Sequence, residues 1–196
     1  MPLRQRPRPQ LWIVLLVLLS LIPTATVAAQ GETKKTDSTL AAKPAANPSD
    51  VVSVDAIIGA LYDVISGPAG HKRNWDRMRS LFAPGARLIV ARAMPNGGAQ
   101  PFMMDVEGYI QRAGPGLERE GFFEREVFSK QQAFGNILHR FSTYESRHNK
   151  DDAKPFARGI NSIQLLKDGN RWWVVTVYWD SEREGNPITA EYLPHK

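Results

Sequence analysis

Two kinds of side chain in the C-terminal half of this 196-residue chain are suited to moving a proton. One is the imidazole of His139, which stands between Ile137 and Phe141. An imidazole in an apolar pocket can have its pKa tuned for acid or base work. The alternative is a structural histidine that hydrogen-bonds Gln132 or Asn161, because buried polar groups usually find such partners. His139 is the first of two candidate catalytic residues.

A glutamate supplies the second candidate. Glu126 and Glu145 would face each other across a tight hairpin, and two adjacent carboxyl groups raise one pKa toward neutrality. A carboxyl group of that kind is a general acid or base, so Glu126 is the second candidate catalytic residue. The alternative is structural ion pairing, because Arg125, Lys130 and Arg147 are close in sequence.

Aromatic and amide side chains could surround a flat apolar ligand. Asn161 stands among apolar residues and could donate a hydrogen bond to a ligand carbonyl. Gly159 either leaves room for that ligand or marks a bend in the strand. Aromatic stripes more often form an ordinary core, so both interpretations stay open. The predicted ligand-binding residues are Asn161, Tyr62, Trp75, Phe128, Phe141 and Trp179.

Metal and cofactor chemistry is not indicated. The chain has no cysteine, which excludes a catalytic thiol, a thiolate metal site and a disulfide framework. Residues 148–152 offer only one histidine and two adjacent acids, so a solvated turn is favoured over a metal loop. No phosphate-cradling glycine motif, nucleophile elbow or metalloprotease motif is present. We therefore predict neither a metal nor a cofactor.

A hairpin over residues 122–147 would position His139 and Glu126. Gly135-Asn136 is a turn pair that sets hairpin register and would pair Phe134 with Ile137. Side chains alternate along each strand, which then assigns the two faces. The face predicted to point inward carries Glu126, Phe128, Lys130, Gln132, His139, Phe141, Thr143 and Glu145. The face predicted to point outward carries Val127, Ser129, Arg140, Ser142 and Tyr144.

A second hairpin over residues 156–182 would position Asn161. Its predicted turn is Lys167-Asp168, with Gly169 in the left-handed conformation. This register places on one face Gly159, Asn161, Ile163, Leu165, Trp173, Val175, Val177 and Trp179.

Three helices are predicted before these strands. The first carries Tyr62 on an apolar stripe and stops at Gly67-Pro68, and Asn74 caps the second. The third begins after Asp105 and is predicted to end at Gly114-Pro115-Gly116. Two short extended pieces, 87–93 and 101–104, separate the second and third helices, and the basic loop 71–73 is interpreted as solvated.

The N-terminal residues have the composition of an export signal. Arginines at positions 4, 6 and 8 precede an apolar run over 11–22, and small residues follow to position 29. That run is shorter than the roughly 20 residues that span a bilayer, which disfavours an uncleaved anchor. We predict a signal peptide over 1–29, a disordered linker over 30–49 and one domain over 50–196. The mature domain would be periplasmic or secreted, without a membrane association.

The formal charge of +5 comes partly from this segment. Its removal leaves 22 basic and 20 acidic residues, a net charge of +2. We therefore predict no nucleic-acid partner.

The order of these elements resembles the nuclear transport factor 2-like superfamily, and most closely its bacterial SnoaL-like, ketosteroid-isomerase-like branch. The phrases that carry the resemblance are Asn74-Trp75-Asp76-Arg77-Met78-Arg79-Ser80-Leu81-Phe82, Phe141-Ser142-Thr143-Tyr144-Glu145-Ser146-Arg147 and Gly159-Ile160-Asn161-Ser162-Ile163-Gln164-Leu165. The resemblance implies an α+β fold, a cone-shaped, strongly bent antiparallel sheet wrapped around three N-terminal helices. It also implies an apolar pocket inside the cone and, often, a homodimer through the outer sheet face.

Members of this superfamily include isomerases, dehydratases, cyclases, hydrolases and domains without a known reaction. The steroid isomerases use an aspartate base and an oxyanion hole of a tyrosine and a protonated aspartic acid. That constellation cannot be placed on this sequence.

These features predict an exported protein that binds a small hydrophobic or aromatic ligand and either only binds it or also performs cofactor-free acid–base chemistry. The alternative is a non-catalytic, dimeric interaction module with a filled cone. A cavity of several hundred Å³ would favour the first function, and a closed interior the second. The alternative would use Arg140, Ser142, Tyr144, Trp172, Val174, Thr176 and Tyr178.

Overall fold

The structure, a computed structural model, describes residues 44–194. The helices are α1 (Pro48–Val51), α2 (Val54–Ile65), α3 (Trp75–Leu81), α4 (Val106–Glu120) and a 3-10 helix (Ala190–Tyr192). The strands are β1 (Phe82–Ala93), β2 (Ala99–Met104), β3 (Phe123–Phe134), β4 (Ile137–Arg147), β5 (Ala157–Asp168) and β6 (Arg171–Ser181). None of the helices in this range is both long and apolar enough to cross a bilayer.

The predicted signal peptide, 1–29, and the predicted linker up to residue 43 lie outside the described residues. The last linker positions are ordered, since Asn47 caps α1 by accepting a hydrogen bond from the backbone of Ser49.

The six strands form one open sheet in the order β2-β1-β6-β5-β4-β3. Neighbouring strands are antiparallel except β1 and β6, which run parallel. The predicted α+β fold class is confirmed, with the difference that the sheet is mixed. We call the face packed against the helices the inner face, and the opposite one the outer face.

The core lies between the inner face and the helices. Asn74 and Asp105 cap α3 and α4 as predicted, because their side chains accept hydrogen bonds from the backbone of Arg77 (2.9 Å) and Gly108 (2.7 Å). The side chains with almost no exposure are Ile57, Met78, Leu81, Phe82, Ile163, Leu165 and Val174.

α4 does not end where the sequence predicts. It continues through Pro115 to Glu120, and Gly121, with φ +74°, ends it. Gly114 serves packing instead, since a Cβ there would lie 3.1 Å from the ring of Trp75. The glycine therefore marks a close approach of two helices rather than a helix end.

The loop between α2 and α3 closes on a buried guanidinium. Arg73, interpreted from the sequence as part of a solvated loop, is only 6% exposed. Its side chain donates hydrogen bonds to backbone carbonyls, namely those of Ile65 (3.0 Å), Gly67 (2.6 Å), Pro68 (3.4 Å), His71 (2.5 Å) and Leu117 (2.9 Å). This side chain therefore joins the end of α2, the loop and α4.

The first hairpin turns at Gly135-Asn136, as predicted, and Gln132 pairs with His139. Val127 then forms a β-bulge, so Glu126 pairs with Tyr144 and not with Glu145. The predicted pair of adjacent carboxyl groups is therefore wrong.

The predicted faces of this hairpin are also wrong for β4 and for β3 from Phe128 onward, where Phe128, Lys130 and Gln132 share the outer face with their β4 partners. Ser142 and Tyr144 are buried on the inner face, where the Ser142 hydroxyl lies 2.7 Å from that of Tyr62 in α2. His139 and Phe141 point to the outer face. Turn chemistry fixes the register but does not say which face the helices cover.

The second hairpin turns at Gly169-Asn170, one pair later than predicted, with Gly169 left-handed as expected (φ +56°). Asn161 pairs with Trp179, which confirms that they share a face. A bulge at Val175 shifts the register, so Leu165 pairs with Val174. Trp173 and Val175 are therefore not on the face of Asn161, and Trp172 and Val174 take their place.

The C-terminal segment covers part of the outer face. The hydroxyl of Thr143 donates to the carbonyl of Tyr192 (2.7 Å), whose ring lies 5.0 Å from that of Phe141. Lys130 pairs with Glu191 at 2.9 Å. Thr143 is fully buried in consequence, although it lies on the outer face.

Gly159 has no space for a side chain. A Cβ there would lie 2.3 Å from the carbonyl oxygen of Asp180 and 2.5 Å from the hydroxyl of Tyr144. We expect Gly159→Ala to lower the free energy of unfolding by about 1–3 kcal/mol, because a backbone oxygen cannot move away easily. Urea denaturation followed by tryptophan fluorescence measures this. Gly59→Ala, in an open position of α2, is the control and should be neutral or stabilising; equal stability of both variants would contradict the packing argument.

Candidate functional site

A cavity of about 250 Å³, here called the inner cavity, lies between α2, α4 and the inner face. Its wall is mostly apolar and aromatic. The lining residues are Leu61, Tyr62, Ile65, Met78, Leu88, Tyr109, Ala113, Leu117, Phe122, Glu124, Tyr144, Asn161, Val177 and Trp179. The volume lies just below the roughly 300 Å³ at which ligand pockets usually start, and above the roughly 150 Å³ of a cavity that holds benzene. A molecule of one or two rings fits.

Glu124 is the ionisable carboxylic acid of this wall. It lies at the start of β3, opposite Ser146, whose hydroxyl donates to Oε2 at 2.8 Å. The amide of Asn161 lies 3.4 Å from Oε1. Both contacts favour the carboxylate, but burial among apolar side chains outweighs them and raises the pKa of Glu124 to about 7. The carboxyl group can therefore accept and return a proton at neutral pH.

A second cavity, here called the charged groove, has a volume of about 870 Å³ and runs along α2 and the start of β3. Tyr62 and Glu124 line both cavities. Glu124 thus retains some accessible surface, although protein atoms surround its carboxyl group on most sides. The charged residues of the groove are Asp55, Asp63, Arg125, Glu126, Arg140, Arg147, Lys150, Asp151 and Asp152.

Glu126 lies in this groove and not in the inner cavity. Its Oε2 accepts from Nε of Arg140 (2.9 Å) and from the hydroxyl of Ser142 (2.5 Å), and its Oε1 is bound by Nη2 of Arg140. Arg140 also pairs with Asp55 at 2.8 Å. The geometry matches the structural ion pair considered as the alternative, with Arg140 as the partner.

Three tyrosines reach the inner cavity. The hydroxyl of Tyr62 bonds Ser142 and Asn161, and that of Tyr144 lies 3.1 Å from the hydroxyl of Ser181. Within residues 44–194 the Tyr109 hydroxyl has no hydrogen-bond partner. Burial raises the pKa of Tyr109 above its usual value, and the nearby Glu124 charge adds to this. Tyr109 therefore remains protonated and is an available donor.

The structure brings together some of the predicted site residues. Tyr62, Asn161 and Trp179 line the inner cavity. Trp75 does not, because its indole donates to Glu118 at 3.1 Å and packs on Gly114. The residues on the outer face are Phe128, Phe141 and His139.

His139 and Glu126 lie on opposite faces and cannot form one site. The imidazole of His139 bonds the hydroxyl of Ser162 at 2.8 Å and packs edge-on against Phe141. This is the structural role considered above, with a different partner from Gln132 or Asn161.

Sequence reasoning missed Glu124, Tyr109 and the inward position of Tyr144. The signal for Glu124 is its spacing from Glu126, since residues two apart on a strand share a face. Glu124 also follows Phe122 and Phe123 directly, which places its carboxyl group next to two apolar residues.

Comparison with known proteins gives structural similarity only. No family model and no curated protein matches the sequence. An NTF2-like protein of unknown function from Silicibacter pomeroyi shares 14% identity, covering 65% of this chain and 92% of that one, with a TM-score of 0.45. A second, from Pseudomonas putida, shares 13% over 70% and 88% of the chains, with a TM-score of 0.46.

A candidate ketosteroid isomerase from Shewanella frigidimarina shares 14% identity, covering 54% of this chain and 80% of that one, with a TM-score of 0.37. The first two of these structures are named as NTF2-like proteins and the third as a candidate ketosteroid isomerase. At such identities the similarity concerns the fold alone.

Proposed function

We propose that the protein binds a small hydrophobic or aromatic carbonyl compound in the inner cavity. Glu124 would move a proton from one position of this ligand to another, without a cofactor. The observation that supports this most is a carboxyl group with a pKa of about 7 on an apolar cavity wall. Chemistry of this kind includes isomerisation, dehydration and cyclisation.

The Glu124 carboxylate would remove a proton from the carbon next to the ligand carbonyl. The electron pair of that C–H bond moves toward the carbonyl oxygen, which becomes an enolate. The hydroxyl of Tyr109 would donate a hydrogen bond to this oxygen, because it is a protonated donor without another partner among the described residues. The protonated Glu124 would then return the proton to carbon, so that no net charge or electron is gained.

These roles differ from those predicted from the sequence. Glu124 replaces His139 and Glu126 as the acid–base residue. The amide nitrogen of Asn161 has its hydrogen-bond contacts with Tyr62 and Glu124, so the role proposed for Asn161 is to position the carboxyl group and not to bind the ligand.

The first test is native mass spectrometry of the protein purified from its own compartment, which detects a co-purifying molecule and the oligomeric mass together. The second test measures deuterium uptake from D₂O next to the carbonyl of small cyclic ketones such as 1-tetralone. We expect exchange to accelerate as pH rises through about 7, because Glu124 then ionises.

Two variants check the assignment. Tyr109→Phe should slow exchange at least about tenfold, because an oxyanion donor is lost. His139→Ala, on the outer face, should leave exchange unchanged. A wild-type protein that exchanges none of the ketones faster than buffer, or a His139→Ala variant that loses the activity, would overturn the proposed site.

A non-catalytic interaction role has one observation in its favour. The outer face carries an exposed apolar patch near the β3–β4 turn, where Phe134 is 84% and Ile137 is 61% exposed and Leu166 adjoins them. We propose this face for a homodimer contact. Of the residues expected there, only Thr176 and Tyr178 have the right orientation, because Arg140, Ser142, Tyr144, Trp172 and Val174 are on the inner face.

Export stays a proposal that depends on the N-terminal composition. The protein would act in the periplasm or outside the cell after removal of residues 1–29.

A further inference from the structure

Three side chains, Asn161, Tyr62 and Ser142, connect Glu124 in the inner cavity to Glu126 in the charged groove. The amide nitrogen of Asn161 lies 3.4 Å from Glu124 and 3.0 Å from the hydroxyl of Tyr62. That hydroxyl lies 2.7 Å from the hydroxyl of Ser142, which in turn lies 2.5 Å from Glu126. The chain crosses the buried space between α2, β4 and β5.

The direction of each hydrogen bond follows from the Glu126 end. Two guanidinium nitrogens of Arg140 hold the Glu126 carboxylate, which therefore only accepts. Ser142 uses its single hydroxyl hydrogen on Glu126, so its oxygen accepts from Tyr62. The hydroxyl of Tyr62 has then used its hydrogen and can only accept from Asn161.

This direction also determines which way the amide of Asn161 points. Its NH₂ group faces both Tyr62 and Glu124, and each of its two hydrogens has an acceptor. If the amide turned by 180°, its carbonyl oxygen would face two groups, and the Tyr62–Ser142 hydrogen bond would have to break to supply a donor.

We propose that Ser142 is a positioning residue, which through Tyr62 fixes the amide of Asn161 so that it donates to Glu124. Its importance for catalysis depends on the role proposed above for Glu124. Ser142 touches neither Glu124 nor the inner cavity, so its influence passes through two other side chains.

Removal of the Ser142 hydroxyl should reverse the direction of the hydrogen bond between Tyr62 and Asn161. Tyr62 would then donate to the carbonyl oxygen of Asn161, which turns toward Glu124. The carbonyl oxygen of Asn161 can accept a hydrogen bond from Glu124 only when the carboxyl group is protonated. The turned amide therefore stabilises the protonated form of Glu124. The substitution leaves in place the other titratable and charged groups that line the two cavities with Glu124, which are Asp55, Tyr62, Asp63, Tyr109, Arg125, Glu126, Arg140, Tyr144, Arg147, Lys150, Asp151 and Asp152.

The test is a ¹³C NMR titration of the glutamate carboxyl groups in ligand-free protein, with the Glu124 signal assigned by its loss in Glu124→Gln. Ser142→Ala should raise the midpoint of the Glu124 titration by about one pH unit, the size expected for one hydrogen bond to a carboxylate. Ser162→Ala removes a hydroxyl from the outer face of the neighbouring strand and should leave the midpoint unchanged.

An unchanged midpoint in Ser142→Ala would overturn the proposal. So would a shift that persists when Asn161 is already replaced by leucine, because the effect must pass through the amide. If Ser142→Ala does not fold, Ser142→Cys replaces the hydroxyl by a thiol, which is only a weak donor and acceptor, and should raise the midpoint in the same direction. The titration needs no substrate, so its outcome is independent of the ketone-exchange test of the proposed function.

Discussion

Replacing Glu124 by glutamine is expected to reduce proton exchange by roughly 100- to 10,000-fold, the usual contribution of a general base, and at the same time to stabilise the protein at pH 8. The two effects have one cause. The inner cavity holds a carboxylate in apolar surroundings, which serves proton transfer but opposes folding once the group is ionised.

The sign of the stability effect follows from the two pKa values. The pKa of Glu124 is about 7 in the folded protein and about 4.5 in the unfolded chain. Below the lower value the group is protonated in both states and has no effect. Between the two values the folded state binds more protons, so the free energy of unfolding falls as pH rises and above about 7 is lower by up to about 3 kcal/mol.

Urea denaturation of wild type and Glu124→Gln between pH 4.5 and 8.5 measures this. The difference between the two proteins isolates Glu124, because all other carboxyl groups are shared. As pH rises through this range, the free energy of unfolding of Glu124→Gln should increase relative to that of the wild type. Parallel stability curves would show that Glu124 is solvated, and the proposed base would then lose its physical basis.

Replacing Arg73 by methionine is expected to lower the free energy of unfolding by about 3–5 kcal/mol. Methionine fills much of the space but donates no hydrogen bond, so the carbonyls around the guanidinium lose their side-chain donor in a buried site. Each buried carbonyl left without a partner costs about 1–3 kcal/mol, partly offset where the loop relaxes toward water.

The neighbouring residue provides the control. Lys72→Met changes the same charge at an exposed position and should alter stability by less than about 0.5 kcal/mol. Arg73→Lys keeps the charge but has three donors on one nitrogen, so an intermediate loss is expected. A loss below about 1 kcal/mol in Arg73→Met would contradict the structural role of this guanidinium.

The elements of the fold could be predicted from the sequence because their signals are local. The caps at Asn74 and Asp105 and the turn at Gly135-Asn136 are each set by a few adjacent residues. The bulges at Val127 and Val175 have no such mark, since neither valine differs from any other strand residue. One extra residue in a strand reverses the inward and outward alternation of the side chains beyond it. The predicted pairing of Glu126 with Glu145 is wrong for this reason.

The face of β4 could not be predicted, for a different reason. In a sheet with one solvated face, polar residues mark the outside. Here Phe141 and Thr143 on the outer face are covered by the C-terminal segment around Tyr192. Both faces of the strand therefore carry apolar residues, and alternation alone does not show which face the helices cover.

The parallel pairing of β1 with β6 places the first and last strands of the sheet side by side. Leu88 lies next to Val177, which is 89 positions later in the sequence. A chain emerging from the ribosome therefore carries β1 with one edge unpaired until residues of β6 have been made. Contacts so distant in sequence slow folding, and they make the nascent domain dependent on its last strand.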